Sequence, residues 1–343
     1  MKSKKLSKLL LLVLGSLVGL LALEIVVRLL GLAPQLAAIE VDQPYASFVS
    51  SPNPDLKYVP KPNSGDINAD GFRDRSYPKQ KGEGTFRIAV LGDSIAFGYC
   101  NESRVTRPED TFAGLLEQRL NEERFGDFER TEVLNFAVSG YDTLQEVAFL
   151  EHKGLAYEPD LVLVAYCLND LQLASRELFL FGKQPGWESY RKTADLLYRS
   201  LIFRSHLARF IWQRAPYLSS RFGGEEQVTP DDPMERTAAG FARLEQLGQQ
   251  FGFEALVVIF PAFRDFDDYP FLSQHWAVEA QAKAHGLGTF DLLPVYREAA
   301  GSADLCSPCC DLHPNETGHR VTADAIAERL RESAAEKGTG ASF

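Results

Sequence analysis

Positive charge is scarce in this sequence. Its 343 residues carry 36 Lys and Arg against 47 Asp and Glu, a formal net charge of −11 at pH 7. Such a chain lacks the dominant basic surface on which nucleic-acid affinity depends, so no nucleic-acid partner is expected. Cysteine is sparse too. There are five, none before Cys100, which leaves no early residue for N-terminal lipid attachment. Cys306, Cys309 and Cys310 cluster in "CSPCC", yet no second ligand pair at finger-like spacing accompanies them, and no metal is expected. The odd count leaves at least one thiol unpaired within the chain. Internal repeats and low-complexity tracts are missing. Gly92 and Gly98 have no third glycine at dinucleotide spacing and no Gly-Lys-Ser/Thr beside them, so neither familiar phosphate loop is present and no cofactor is expected.

What is present is an ordinary globular composition, 45% hydrophobic and 24% charged, with one unusual terminus. "MKSKKLSK" is basic, and Leu9 to Leu23 gives fifteen uncharged residues; reading on to Val27 gives nineteen with a single carboxylate, Glu24. This is read as an uncleaved signal anchor over residues 1–32, with a cleaved signal peptide and a buried soluble helix as alternatives. Lysines on the cytoplasmic side place the remainder outside that membrane, periplasmic or at the cell surface. Residues 33–84, rich in Pro, Asn, Asp and Ser, read as a stalk or linker running over the following domain.

From Thr85 the pattern alternates. "FRIAVLG", "TEVLNFAV", "DLVLVAYCLND", "FEALVVIFPAF" and "LGTFDLL" read as strands, with helical spacing between them and a closing helix in "NETGHRVTADAIAERLRESAAEK". Asp110 is the expected N-cap of the first helix. Continuous apolar strands separated by helices predict a parallel sheet covered on both faces, in one domain over 85–335, with a tail at 336–343. The insertion at 171–232 is basic and aromatic, with seven Arg or Lys against one Asp between Tyr190 and Phe222. Its arginines recur every five residues and give no clean amphipathic face. A helical lid is expected there, or else a surface for lipid or an anionic substrate.

Ligands in such folds bind beyond the carboxyl ends of the strands. Strand one ends there in Gly92-Asp93-Ser94. Alone this is turn chemistry, but Ser94 is also placed to act as a nucleophile if a helix follows. A base is available in "DLHPNETGHR": His313 in a loop before the last helix, with Asp311 two residues earlier. His319 competes, but Pro314 and Asn315 read as the helix entry and put His319 inside the helix. Strand two ends in Ser139-Gly140, where glycine lets a backbone N–H approach a ligand. Strand three ends in Asn169, whose amide is a neutral donor suited to a developing oxyanion.

Together these blocks resemble the SGNH hydrolases, also called GDSL-like esterases and lipases, over about 85–330. Gly92-Asp93-Ser94, Gly140, Asn169-Asp170 and His313-Pro314 match the four blocks in order, and the anchor and stalk are similar to membrane-tethered members. The resemblance implies a three-layer α/β/α fold with a flavodoxin-like sheet, Ser94 as nucleophile, His313 as general base, and an oxyanion hole from the Ser94 amide, the Gly140 amide and the Asn169 side chain. Two positions depart from the pattern. Cys167 stands where the third block ordinarily has glycine, and Cys310 where the family's aspartate ordinarily lies, three residues before the histidine. Asp311, at the spacing of some polysaccharide O-acetylating relatives, is the candidate third member of the triad. The implied function is an extracytoplasmic, membrane-anchored serine esterase, a carbohydrate or small-ester O-acetylesterase or an acyl-transferring relative. The alternatives are a lipase or lysophospholipase at the membrane surface, and a non-catalytic carbohydrate-binding or assembly module.

Overall fold

The lysine-led apolar run, free of proline, folds as one helix, α1 (Lys2–Leu29). Most of its described apolar side chains face outward, Leu14, Val18 and Leu21 being 57%, 60% and 63% exposed, while Val27 is buried. Glu24 is its exception in partners as well as in charge. Its carboxylate accepts hydrogen bonds from Ser205 Oγ (2.7 Å), His206 N (2.9 Å) and Leu207 N (2.8 Å), capping a helical turn at 206–208. In the computed structural model, residues 2–30, 48–51, 53, 55–56, 58–101, 104–175, 205–208, 233–263, 266–301, 303–306 and 313–337 are described. Among them, no helix is long and apolar enough to cross a membrane. The side chains of 9, 10, 12 and 13, which belong to the expected anchor, lie outside the described residues, as do most of the insertion and the 338–343 tail. Two compact units result. One is Met1–Val41 with Glu177–Val228; the other is Asp42–Arg176 with Thr229–Phe343.

The second unit holds the sheet. In chain order its elements are the hairpin β1 (Phe48–Ser50) and β2 (Tyr58–Pro60), β3 (Thr85–Gly92), α2 (Ser94–Phe97), the small hairpin β4 (Tyr99–Asn101) and β5 (Arg104–Val105), α3 (Phe112–Glu122), β6 (Arg130–Asn135), α4 (Thr143–His152), β7 (Leu161–Cys167), α5 (Pro233–Phe251), β8 (Glu254–Phe260), α6 (Leu272–Ala284), β9 (Gly288–Asp291), α7 (Leu293–Ala300) and α8 (Glu316–Lys337). The five strands expected from the sequence form the main sheet, in the order β6-β3-β7-β8-β9 and all parallel. All seven residues of β7 are buried, as a central strand covered on both faces requires. Right-handed crossovers place α3, which leads towards β6, on the opposite face from α4, which leads back past β3 to β7. The contacts agree: α8 packs on α3, while α4, α5 and α6 pack in succession. The layers are therefore α/β/α. Chain direction across the sheet reverses between β3 and β7, so the crevice at their carboxyl ends is the topological switch point.

Two local expectations change. Asp110 does not cap α3, because Pro108 opens a short 3-10 turn through Asp110. The N-cap therefore falls one residue later, on Thr111, whose hydroxyl accepts from Gly114 N. The 33–84 segment, read from composition as a stalk, enters the core from Leu56 onward, with Tyr58, Ile67, Phe72, Arg73 and Tyr77 all buried. It also covers a liability. The edge strand β6 carries backbone groups with no neighbouring strand. Tyr77 Oη donates to Val133 O (2.9 Å) and Asn135 N donates to Asp74 Oδ2 (2.9 Å), while Glu117 and Asn121 of α3 take Val133 N and Thr131 N. Burial pushes the Asp74 carboxyl up to about 7.

Candidate active site

The end of β3 needs a glycine because α2 folds directly back on it. A Cβ at Gly92 would lie 2.7 Å from Ala96 Cβ and 3.0 Å from Ala165 Cβ. Asp93 then caps α2, its Oδ1 accepting from Ile95 N at 3.1 Å. Ser94 is the first residue of that helix, so its N–H has no intrahelical acceptor. The far end of α2 is held by a buried arginine: Arg73 donates to Phe97 O (2.5 Å) and Thr106 O (2.8 Å) and lies over the Phe97 ring. Nothing in the composition around Arg73 announced that role.

His313 meets the serine. Its Nε2 lies 2.8 Å from Ser94 Oγ, with the Tyr99 ring edge-on at 5.2 Å. The loop that carries it is fixed by Asn315, whose side chain accepts from Thr317 N (2.9 Å) and Gly318 N (3.0 Å) and donates to Asp304 O and Cys306 O. Asn315 thus starts α8, and His319 falls within it. There His319 is fully buried, accepts from Phe112 N at 3.2 Å and stacks on the Phe112 ring. Burial, with His313 and Arg73 nearby, pushes it down to about 3. It is a neutral acceptor in the core and stands apart from the serine. Asp311, Cys309 and Cys310 lie outside the described residues.

Gly140 turns the chain after β6 with φ +84°, a conformation that a side chain would strain. The Ser139 carbonyl accepts from Tyr58 Oη at 2.8 Å. That carbonyl and the Gly140 N–H belong to one trans peptide and point in opposite directions, so Tyr58 sets the aim of the amide. Asn169, just past β7, donates from Nδ2 to Asp93 Oδ2 at 2.7 Å. The ends of β3 and β7 therefore bring a hydroxyl and a carboxamide onto one carboxylate, Asp93, while Gly140 lies on the turn that follows β6.

Comparison with known proteins identifies the family. The model of the GDSL-like lipase/acylhydrolase family matches residues 90–321, well over half of the chain. The chain belongs to that family. It is an ester-bond hydrolase. No curated protein matches it. Among solved structures, it is similar to an acetylxylan esterase from Geobacillus stearothermophilus, at 14% identity and TM-score 0.44, covering 71% of this chain and 94% of that one. A second acetyl xylan esterase is 14% identical with TM-score 0.42, covering 71% and 99%. An α/β hydrolase from the metagenome of Lake Arreo, Spain, is 15% identical with TM-score 0.46, covering 71% and 94%. The family assignment rests on the 90–321 match and not on these distant likenesses.

This hydrolase buries Asp93, Asp142, Glu146 and Asp170 near one another. Asp170 Oδ2 accepts from Thr143 N (2.9 Å) and Thr143 Oγ1 (2.5 Å), which ties the asparagine block to the first turn of α4 just beyond Gly140. Burial pushes Asp170 well up, and Glu146 well up likewise, with Asp170 and Asp93 adding like charge beside it. Asp142 caps α4 in a capping box with Gln145 and is paired with Arg236, whose Nε lies at 2.9 Å. Cys167 Sγ donates to Asp93 Oδ1 at 3.0 Å, and burial, followed by the Asp93 charge, pushes that thiol well up. Cys167 and Cys306 are free thiols. Among the described residues, no group of three or more His, Cys, Asp or Glu is arranged to hold a metal ion.

Proposed function

We propose that this hydrolase is a serine O-acylesterase that removes small acyl groups, acetyl foremost, from hydroxyls of a carbohydrate or small ester. The observation that carries the reading is Ser94 Oγ at 2.8 Å from an imidazole nitrogen, beside an asparagine amide held by the neighbouring aspartate. Ser94 Oγ attacks the ester carbonyl while His313 Nε2 takes its proton. The tetrahedral oxyanion is received by the Ser94 and Gly140 amides and the Asn169 side chain. His313 then gives the proton to the departing alcohol, leaving an acyl-serine. Water, deprotonated by the same histidine, releases the acid; a sugar hydroxyl in its place would give acyl transfer. Asp311, two residues before His313 in the sequence, is the carboxylate proposed to orient it. Ser94 is only 6% exposed, and that close cover favours a short acyl chain over a long one.

The hydrolase is further read as membrane-tethered, with its second unit outside the cytoplasm. At 1.5 Å per residue the 28-residue α1 is about 42 Å long, against a hydrocarbon core of about 30 Å. Its outward-facing leucines and valines and its lysine-rich start support that placement. Resistance to carbonate extraction from membranes is the expected outcome; release into the supernatant would refute it.

Steady-state hydrolysis of p-nitrophenyl acetate, butyrate and octanoate tests the chemistry, with Ser94→Ala as control. Serine-dependent turnover that falls with chain length supports the reading, whereas preference for octanoate moves it to a lipase at the bilayer surface. His313→Ala is expected to abolish turnover, and Asp311→Asn to reduce it more mildly. A Cys310 substitution more damaging than Asp311→Asn would refute the placement of Asp311.

A further inference from the structure

Cys167 closes β7, and its thiol has a partner at the centre of the site. Asp93 is 1% exposed, and four donors converge on its two carboxylate oxygens. Oδ1 takes Ile95 N (3.1 Å) and Cys167 Sγ (3.0 Å); Oδ2 takes Asn169 Nδ2 (2.7 Å) and Ser94 Oγ (3.2 Å). The two oxygens have different tasks. Oδ1 is gripped by the helix cap and the thiol, while Oδ2 faces the reacting groups.

Asn169 depends on that carboxylate for its orientation. A flipped amide would press Oδ1 against Asp93 Oδ2 at hydrogen-bond distance, two acceptors facing each other. With Nδ2 towards Asp93, one N–H is spent on the carboxylate and the other is left to point elsewhere, while Asn169 Oδ1 is buried with no partner among the described residues. Nothing on the oxygen side therefore holds the amide; its aim comes from Asp93. Asp93 in turn has a second acceptor task at rest. The Ser94 hydroxyl has one proton and two acceptors in reach, His313 Nε2 at 2.8 Å and Asp93 Oδ2 at 3.2 Å. A carboxylate that swings about its own axis would disturb both contacts of Oδ2, to the asparagine and to the serine.

We propose that Cys167 is a positioning residue of the oxyanion site: its S–H holds the Asp93 carboxylate in the orientation from which Oδ2 aims the Asn169 amide. The inference rests on reading Asn169 as an oxyanion donor. Glycine at 167 has no donor to offer, and Oδ1 would then keep the Ile95 amide alone. An oxyanion donor acts on charge that develops in the transition state, so loosening it lowers kcat and leaves KM in place.

The test is a double-mutant cycle on the full chain, with p-nitrophenyl acetate as substrate and thermal melting as the check on folding. Cys167→Ala is expected to lower kcat roughly three- to tenfold, the worth of one such hydrogen bond, with KM within about twofold. Cys167→Gly is expected to show the same loss, and Cys167→Ser, which restores a donor on the same Cβ, to recover most of it. In an Asp93→Ala background, which leaves no acceptor for the thiol, Cys167→Ala is expected to cost less than about twofold, because the thiol acts only through the side chain at 93. Equal losses in both backgrounds, a change confined to KM, or no recovery by serine in folded protein would overturn the proposal. Asn169→Ala separates the two levels. If it leaves kcat unchanged, the oxyanion role of Asn169 fails and the inference with it. A large loss there, together with additive effects of Cys167 and Asp93, sinks the positioning role alone.

Discussion

Removing one hydroxyl outside the family-matched region should slow the chemistry. Tyr58 sits in β2, thirty-odd residues before the family match begins at 90, yet its Oη donates to Ser139 O at 2.8 Å. Tyr58→Phe deletes that bond. The ring keeps its edge-on contacts with Tyr141 (5.1 Å) and Phe48 (5.7 Å), and the Tyr141 hydroxyl still has the Tyr58 backbone carbonyl. A hydrogen bond of this kind is worth about 0.5–1.5 kcal/mol net. If it acts by holding the Ser139–Gly140 peptide, that energy is withdrawn from the transition state, and kcat falls by roughly three- to tenfold. The ceiling is the roughly 10²- to 10³-fold loss that follows complete removal of an oxyanion donor. KM should stay within about twofold, because the ground-state carbonyl uses the hole weakly. Steady-state kinetics on p-nitrophenyl acetate, paired with thermal melts, decides it. A lower Tm with kcat unchanged would refute the reasoning and leave Tyr58 as a brace for the hairpin alone.

Gly92→Ala should cost more than tenfold in kcat and about 1–3 kcal/mol in stability, because its Cβ meets Ala96 Cβ at 2.7 Å and must push α2 away; Gly92→Ala with Ala96→Gly should recover much of the activity, and no recovery would show that the clash lies elsewhere. Glu146→Gln should stabilise the protein increasingly as pH rises. The buried carboxyl stays protonated well above 4.5 when folded but ionises in the unfolded chain. The unfolded state therefore binds fewer protons from about pH 4.5 upward, and stability drops by up to about 1.4 kcal/mol per pH unit for that group. Glutamine abolishes the drop, so the gain in Tm should be near zero at pH 4 and largest at pH 7–8; an equal gain at both would refute it.

The parts of this molecule legible in its sequence share a physical cause. A strand buried on both faces has to be largely apolar, so β7, β8 and the second half of β3 stand out as runs, and the residues that end them stand out as breaks in those runs. Ser94, Gly140 and Asn169 are visible because polar groups beside buried strands are exceptions. His313 is visible because Pro314 and Asn315 mark a helix entry beside it, and Asn315 does cap α8. Tyr58, Arg73 and Tyr77 leave no such mark. They sit singly in a turn-rich segment whose backbone is mostly irregular, and what makes them structural is a partner far away in sequence: Ser139 for Tyr58, Phe97 for Arg73, Val133 for Tyr77. Composition describes how a segment behaves alone, and this one is ordered by the sheet edge it covers.

Cys167 is the instructive case, because its departure from the family's glycine was visible and its meaning was not. Read along the strand, a thiol in place of glycine changes volume, and volume suggests packing. Read across the strands, the same thiol faces the carboxylate at the end of β3, since β3 and β7 are neighbours with Gly92 opposite Ala165. Asp93, one step past that pair on β3, and Cys167, two steps past it on β7, are brought side by side at the switch point. Register, which no single strand encodes, turns a substitution of size into one of hydrogen bonding. The same holds for Asp170, which reads as a polar residue after a strand until the parallel order sets it over the first turn of α4 and its carboxylate takes Thr143 N and Oγ1. Chemistry at this site is therefore written one residue at a time in the sequence, while the positioning of that chemistry is written in the pairing of strands.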